Sequence, residues 1–132
     1  MKGMTAKKLV FTIVLVALFP VYSINAAEVK LLYFYIDGCS WCEKMDKILE
    51  DSSIKRILSN TTLVKIKVNG KKRIDGDKTE EQLAKQYNIK GVPTIVFLDS
   101  SGEELLRVPG LLSKEDFKDV LCNYVSGIKK GC

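Results

Sequence analysis

The chain has no histidine among its 132 residues. A zinc site would have to be built from cysteine alone, and a copper site from thiolates with only Met45 nearby. Cysteine is scarce as well, with Cys39, Cys42, Cys122 and Cys132 the whole supply. Cys122 and Cys132 lack the spacing of a zinc ligand pair, so the second half of a zinc site is missing. There is no internal repeat, no linker and no low-complexity stretch. Asp75-Gly76-Asp77 is too short a pattern for an EF-hand loop, which sets calcium aside. The chemistry calls for neither a metal nor another cofactor.

Acid is absent from the first 26 residues, which hold Lys2, Lys7 and Lys8. An apolar run, Leu9 to Phe19, follows, and then Pro20, Ser23 and the small residues Ala26 and Ala27. A basic start, a short apolar core and a small-residue site read as a secretory signal over 1–26, with cleavage after Ala26, or alternatively after Ala27. The run is short against the roughly 20 residues of a membrane span. An uncleaved signal anchored in the inner membrane is the alternative. No cysteine stands where a lipid anchor would need one.

The chain carries 21 basic and 16 acidic residues, a net +5. Without residues 1–26 the balance is 18 to 16, a net +2, which leaves little to support nucleic-acid binding. Residues 27–132 suffice for one domain with one core. An exported chain enters an oxidising compartment, where four cysteines can pair in three ways.

What the sequence does have is concentrated in one stretch. The apolar run Val29 to Ile36 stops at Asp37-Gly38. Cys39-Ser40-Trp41-Cys42 follows, and then Glu43 to Leu49 with helical spacing, which predicts a helix from about Ser40 to Glu50. A buried strand thus ends in a turn that delivers two cysteines to the first turn of a helix. Free N–H groups and the positive end of the helix dipole favour a thiolate there. The thiolate is the species that attacks a disulfide. Cys39, before the helix, is the expected nucleophile; Cys42, inside the first turn, is the expected resolving thiol. A closed, inert disulfide is the competing reading of the pair.

The rest alternates strand and helix. Ser52-Ser53 breaks the first helix, with a short further turn over Ile54 to Leu58. Thr62 to Val68 reads as a second strand, and Asn69 to Asp77 as a solvated loop. Thr79 and Gln82 make a capping box for the next helix. Gly91-Val92-Pro93 precedes the strand Ile95 to Leu98, and Asp99 to Gly102 turns it back into Glu104 to Val108. Ser113 starts a last helix with Phe117, Val120, Leu121, Tyr124 and Val125 on one face. A βαβ start gives two parallel strands, and a β-hairpin adds an antiparallel edge. The fold class is α/β, a mixed four-stranded sheet with helices on both faces.

Two motifs carry a family resemblance. One is the strand ending in Asp37-Gly38-Cys39-Ser40-Trp41-Cys42; the other is Ile89-Lys90-Gly91-Val92-Pro93-Thr94-Ile95-Val96-Phe97 with the turn after it. The chain resembles the thioredoxin superfamily over nearly all of residues 27–132. It resembles exported thioredoxin-like proteins such as the SoxW type and the C-terminal domain of DsbD. The resemblance implies a thioredoxin fold and a cis Val92–Pro93 peptide beside the cysteines. It also implies a client-binding surface at Trp41, Val92 and Pro93. Many relatives carry a buried acid six residues before the first cysteine, where this chain has Tyr33. Asp46, four residues after Cys42, is the candidate to take over that role, whereas Glu43 is expected to face solvent.

Cys122 and Cys132 are expected to form a disulfide that staples the tail; a second redox relay, or a bond from Cys132 to a partner, is the alternative. The whole reads as a periplasmic thiol–disulfide oxidoreductase, reducing in direction, acting on protein disulfides and fed by a membrane thiol donor. No dimerisation domain is apparent, so a monomer is expected. The competing readings are an oxidant, and a binding module with a permanently oxidised pair.

Overall fold

The protein is described here by a computed structural model. It covers residues 28–125 and Cys132; the signal expected over 1–26 lies outside the described residues. The elements run β1 (Lys30–Tyr35), α1 (Ser40–Glu50), α2 (Ser52–Leu58), β2 (Thr62–Lys67), β3 (Arg73–Asp75), β4 (Lys78–Thr79), α3 (Glu80–Gln86), β5 (Thr94–Leu98), β6 (Glu104–Pro109) and α4 (Lys114–Tyr124).

The main sheet has the order β2-β1-β5-β6. β1 pairs with β2 in parallel and with β5 antiparallel, and β6 adds an antiparallel edge. The two central strands are buried on both faces, which explains why β1 and β5 read as continuous apolar runs. One face packs Leu31, Tyr33, Ile95 and Phe97 against α1, α2 and α4 through Met45, Leu49, Ile54, Ile57, Phe117 and Leu121. The other packs Leu32, Phe34, Ile66 and Val96 against Leu83 and Ala84 of α3. Helices therefore cover both faces. Each large apolar side chain buried this completely contributes about 1.5–3 kcal/mol, so these layers dominate the stability.

Two segments differ from the sequence reading. α1 stops before Ser52-Ser53 as expected, but the further turn is a full helix that begins at Ser52 rather than Ile54. The Asp51 carboxylate accepts from the backbone N–H of Ser53 at 2.9 Å and from its hydroxyl, so the residues that interrupt the apolar spacing form a new N-terminus. The stretch Asn69 to Asp77 is not wholly a loop. Arg73–Asp75 pairs antiparallel with Lys78–Thr79 in a two-stranded ribbon around Gly76, whose φ is +56°. Ile74 supplies its apolar contact, packing against the α3-side core. One apolar residue among charges was too weak a signal for a strand.

Among the described residues, no helix is long and apolar enough to cross a membrane.

Candidate active site

β1 ends at Tyr35, and the chain turns through Asp37 and Gly38, whose φ of +72° suits glycine. Cys39 is then the N-cap of α1, with extended backbone (φ −90°, ψ 110°). Its Sγ accepts the backbone N–H of Cys42 at 3.0 Å, taking the place that a Ser or Asp oxygen usually fills. Cys39 is half-buried and Cys42 buried, 2% exposed. Their Cα atoms are 5.2 Å apart and the sulfurs are joined. The outer sulfur is thus the one at the helix N-terminus, and the inner one lies under the first turn. A backbone N–H aimed at a sulfur in this way makes a stronger contact when the sulfur carries charge.

Trp41 stands between the cysteines at 56% exposure, with the Lys44 ammonium 4.5 Å above its ring. Pro93 precedes β5, and Thr94 pairs with Phe34 across the sheet. The Val92–Pro93 peptide, which is cis, therefore lies at the same end of the sheet as Cys39. Its flanks are fixed: the Gly110 N–H donates to the Pro93 carbonyl at 2.7 Å, and the Thr94 hydroxyl donates to the Gly91 carbonyl at 2.7 Å. Pro93 is buried and Val92 is half-buried. A cleft of about 450 Å³ opens beside them, lined by Val92, Thr94, Arg107 and Pro109 among others.

Beneath the pair sits Tyr33. Its side chain is fully buried, and its hydroxyl donates to the carbonyl of Cys42 at 3.0 Å. Burial first, then the charge and hydrogen bonding of Asp46 beside it, raises the phenol well above its ordinary value. It keeps its proton at any working pH and cannot serve as a base. The acid of this region is Asp46, half-buried one helical turn beyond Cys42. Lys65 holds it, Nζ to Oδ1 at 2.8 Å. The same ammonium lies 5.4 Å from the Tyr33 ring centroid and 4.9 Å from that of Tyr35. The sequence reading singled out Tyr33 and Asp46 but missed Lys65. Its signal is the parallel register, which sets Lys65 opposite Tyr33. Glu43 is exposed.

Far from this site, Cys122 and Cys132 are also joined, with Cα atoms 5.8 Å apart. Among the described residues no cluster of His, Cys, Asp and Glu is suited to hold a metal ion.

A strand, a turn, a cysteine pair capping a helix and a proline at the head of the next central strand form one arrangement. The family model of the thioredoxin-like domain matches residues 21–124. The chain belongs to the thioredoxin-like domain family. This thioredoxin-like domain is 29% identical over 100 residues to the thiol:disulfide interchange protein DsbD of Photorhabdus laumondii. That match takes in 74% of this chain and 16% of DsbD, so the chain spans a small part of the curated relative's length. Among solved structures, a thioredoxin-fold protein from Helicobacter pylori superposes with a TM-score of 0.70 at 26% identity, over 76% of this chain and 70% of that one. The DsbH oxidoreductase superposes with a TM-score of 0.58 at 25% identity, over 73% and 74%.

Proposed function

We propose that this thioredoxin-like domain is an exported, periplasmic thiol–disulfide oxidoreductase that reduces disulfides in protein clients. One observation carries the reading: Cys39 caps α1 with its sulfur on the Cys42 N–H, outermost of a joined pair whose inner member is buried. Similarity to a thiol:disulfide interchange protein and to an oxidoreductase supports the reaction class.

The cycle begins with the dithiol. The Cys39 thiolate attacks one sulfur of a client disulfide, forms a mixed disulfide and expels the other client sulfur as thiolate, which takes up a proton. Cys42 loses its proton and attacks Sγ of Cys39. The Cys39–Cys42 bond forms, the mixed disulfide breaks and the second client thiolate leaves. Two electrons pass to the client, and the domain is left oxidised. Asp46, one helical turn beyond Cys42, is the carboxylate assigned here to receive the Cys42 proton. Trp41, Val92 and Pro93 form the surface on which the client lies. A membrane thiol donor restores the dithiol, and Cys122–Cys132 is a structural clasp. The domain acts as a monomer after removal of residues 1–26.

The test is equilibration of residues 27–132 with glutathione buffers, read by thiol trapping and mass spectrometry. A potential near thioredoxin's, about −270 mV, supports a reductant, and one near DsbA's, about −120 mV, makes the domain an oxidant. A pair that never exchanges leaves a binding module instead. Cys39→Ser separates these again, since an enzyme loses all turnover while a binding module keeps its client.

A further inference from the structure

The sheet end that presents Cys39 also gathers lysines that the thiol chemistry does not use. β1 and β2 are parallel and Tyr35 pairs with Lys67, so both strands finish at this end. Residues 68–72 continue from β2, bringing Lys71 and Lys72. Lys90 belongs to the segment that leads through Val92–Pro93 into β5. Lys44 stands over Trp41. All four side chains, Lys44, Lys71, Lys72 and Lys90, are exposed, and none has a carboxylate partner among the described residues.

The acids nearby are mostly spent. Asp37 is paired with Lys67, and Glu81 with Lys85 at 2.8 Å. Glu80 is buried, its Oε1 accepting the Lys67 backbone N–H at 3.2 Å. Glu43 is the exposed acid that remains on α1, while the exposed Asp75 lies beside Lys30 and Leu98 at the other end of the sheet. Residues 65–90 carry eight basic and four acidic side chains, a net +4, whereas the rest of residues 27–132 nets −2. The opposite end of the sheet bears Glu28, Asp99 and Glu103 against Lys30.

Lys71 and Lys72 are not on a free strand of chain. The Gly70 N–H donates to the Lys67 carbonyl at 2.8 Å, the Glu81 N–H to the Gly70 carbonyl at 3.0 Å, and the Glu80 N–H to the Lys72 carbonyl at 2.9 Å. Gly70 is buried against the Glu80 carboxylate, which a Cβ there would strike. The two lysines are thus displayed from a fixed backbone, which lowers the ordering cost of docking on them.

We propose that this basic rim is a docking surface for polypeptide partners with acidic residues beside the cysteines they exchange. Unlike charges at the rim and on the partner raise the encounter rate and orient Cys39 towards the partner's sulfur. The proposal rests on the thiol–disulfide reading of the cysteine pair.

Three disulfides offered to the reduced domain test it: a peptide with glutamates flanking its cysteines, the same peptide with lysines there, and neutral 2-hydroxyethyl disulfide. At about 20 mM ionic strength the acidic peptide should react roughly tenfold faster than the basic one, and the gap should close towards about 200 mM. Lys71→Glu with Lys72→Glu should bring the ratio to one or below and leave the neutral disulfide's rate unchanged. Equal rates for the two peptides, or a ratio untouched by the double substitution, overturn the proposal. So does a rim whose only effect is pelleting with phosphatidylglycerol vesicles, which would make it a lipid contact. A domain inert even to the neutral disulfide sinks the redox reading, and the proposal with it.

Discussion

At the level of single residues, Tyr33 is the departure that most shapes the chemistry. A buried carboxyl at this position could take a proton from Cys42, and a phenol held well above its ordinary range cannot. Its work is to hold the first turn of α1 through the Cys42 carbonyl. That carbonyl lies inside a helix and keeps its helical partner, so Tyr33→Phe strands no acceptor. The substitution should lower unfolding free energy by about 1 kcal/mol in urea and leave the first attack by Cys39 unchanged. Asp46→Asn should act differently. With the carboxylate gone, resolution by Cys42 should slow on the order of 100-fold while the first attack persists, so that trapped mixed disulfide accumulates. Equal slowing of both steps would take the proton role from Asp46. The nearness of Cys39, Cys42, Tyr33 and Asp46 was legible in the sequence because they lie within fourteen residues on one strand and one helix. Lys65 was not, because its place over Tyr33 and on Asp46 depends on the pairing of two strands about thirty residues apart.

Among the elements, the ends of helices separate what the sequence reading found from what it missed. The capping box at Thr79 was readable, and both of its bonds are present, Gln82 N–H to Thr79 Oγ1 at 3.3 Å and Thr79 N–H to Gln82 Oε1 at 2.8 Å. Thr79→Ala should cost about 1 kcal/mol in urea unfolding. The start of α2 was obscured because Asp51 ends one helix and caps the next. Its bonds to Ser53, aided by Lys114, lower the Asp51 carboxyl from 3.8 to about 2. A folded value below the unfolded one stabilises the fold above about pH 3.8, and that contribution is lost as pH falls towards about 2. Asp51→Asn can still cap α2 but does not titrate. Thermal melts from about pH 5 to about pH 2 should therefore show a shallower loss of stability in the variant than in the wild type. Equal slopes would mean that the cap is not formed. The ribbon β3–β4 was illegible for a different reason: it is stabilised by Ile74 packing on α3, a contact between elements rather than a local pattern.

For the whole molecule, the parallel β1–β2 pair and the antiparallel β5–β6 hairpin were legible in the sequence, and the largely apolar β1 and β5 lie centrally with β2 and β6 at the edges. The face on which each helix lies was not legible, since the apolar sides of α1, α3 and α4 look alike in sequence. The same ambiguity hides what the Cys122–Cys132 bond does for the molecule. Leu121 and Val125, beside Cys122, are buried in the core that also receives Leu49 and Ile57. In the proposed reading the bond is a clasp that ties the end of α4 to Cys132, away from the sheet end that holds Cys39. On the chain-entropy account, closing so short a loop stabilises by about 2–3 kcal/mol, so replacing both cysteines with serine should lower the unfolding free energy by that amount. The glutathione equilibrium of Cys39–Cys42 should stay where it is. If that equilibrium moves, or client turnover falls while stability holds, electrons pass between the two pairs, and Cys122–Cys132 is a relay rather than a clasp.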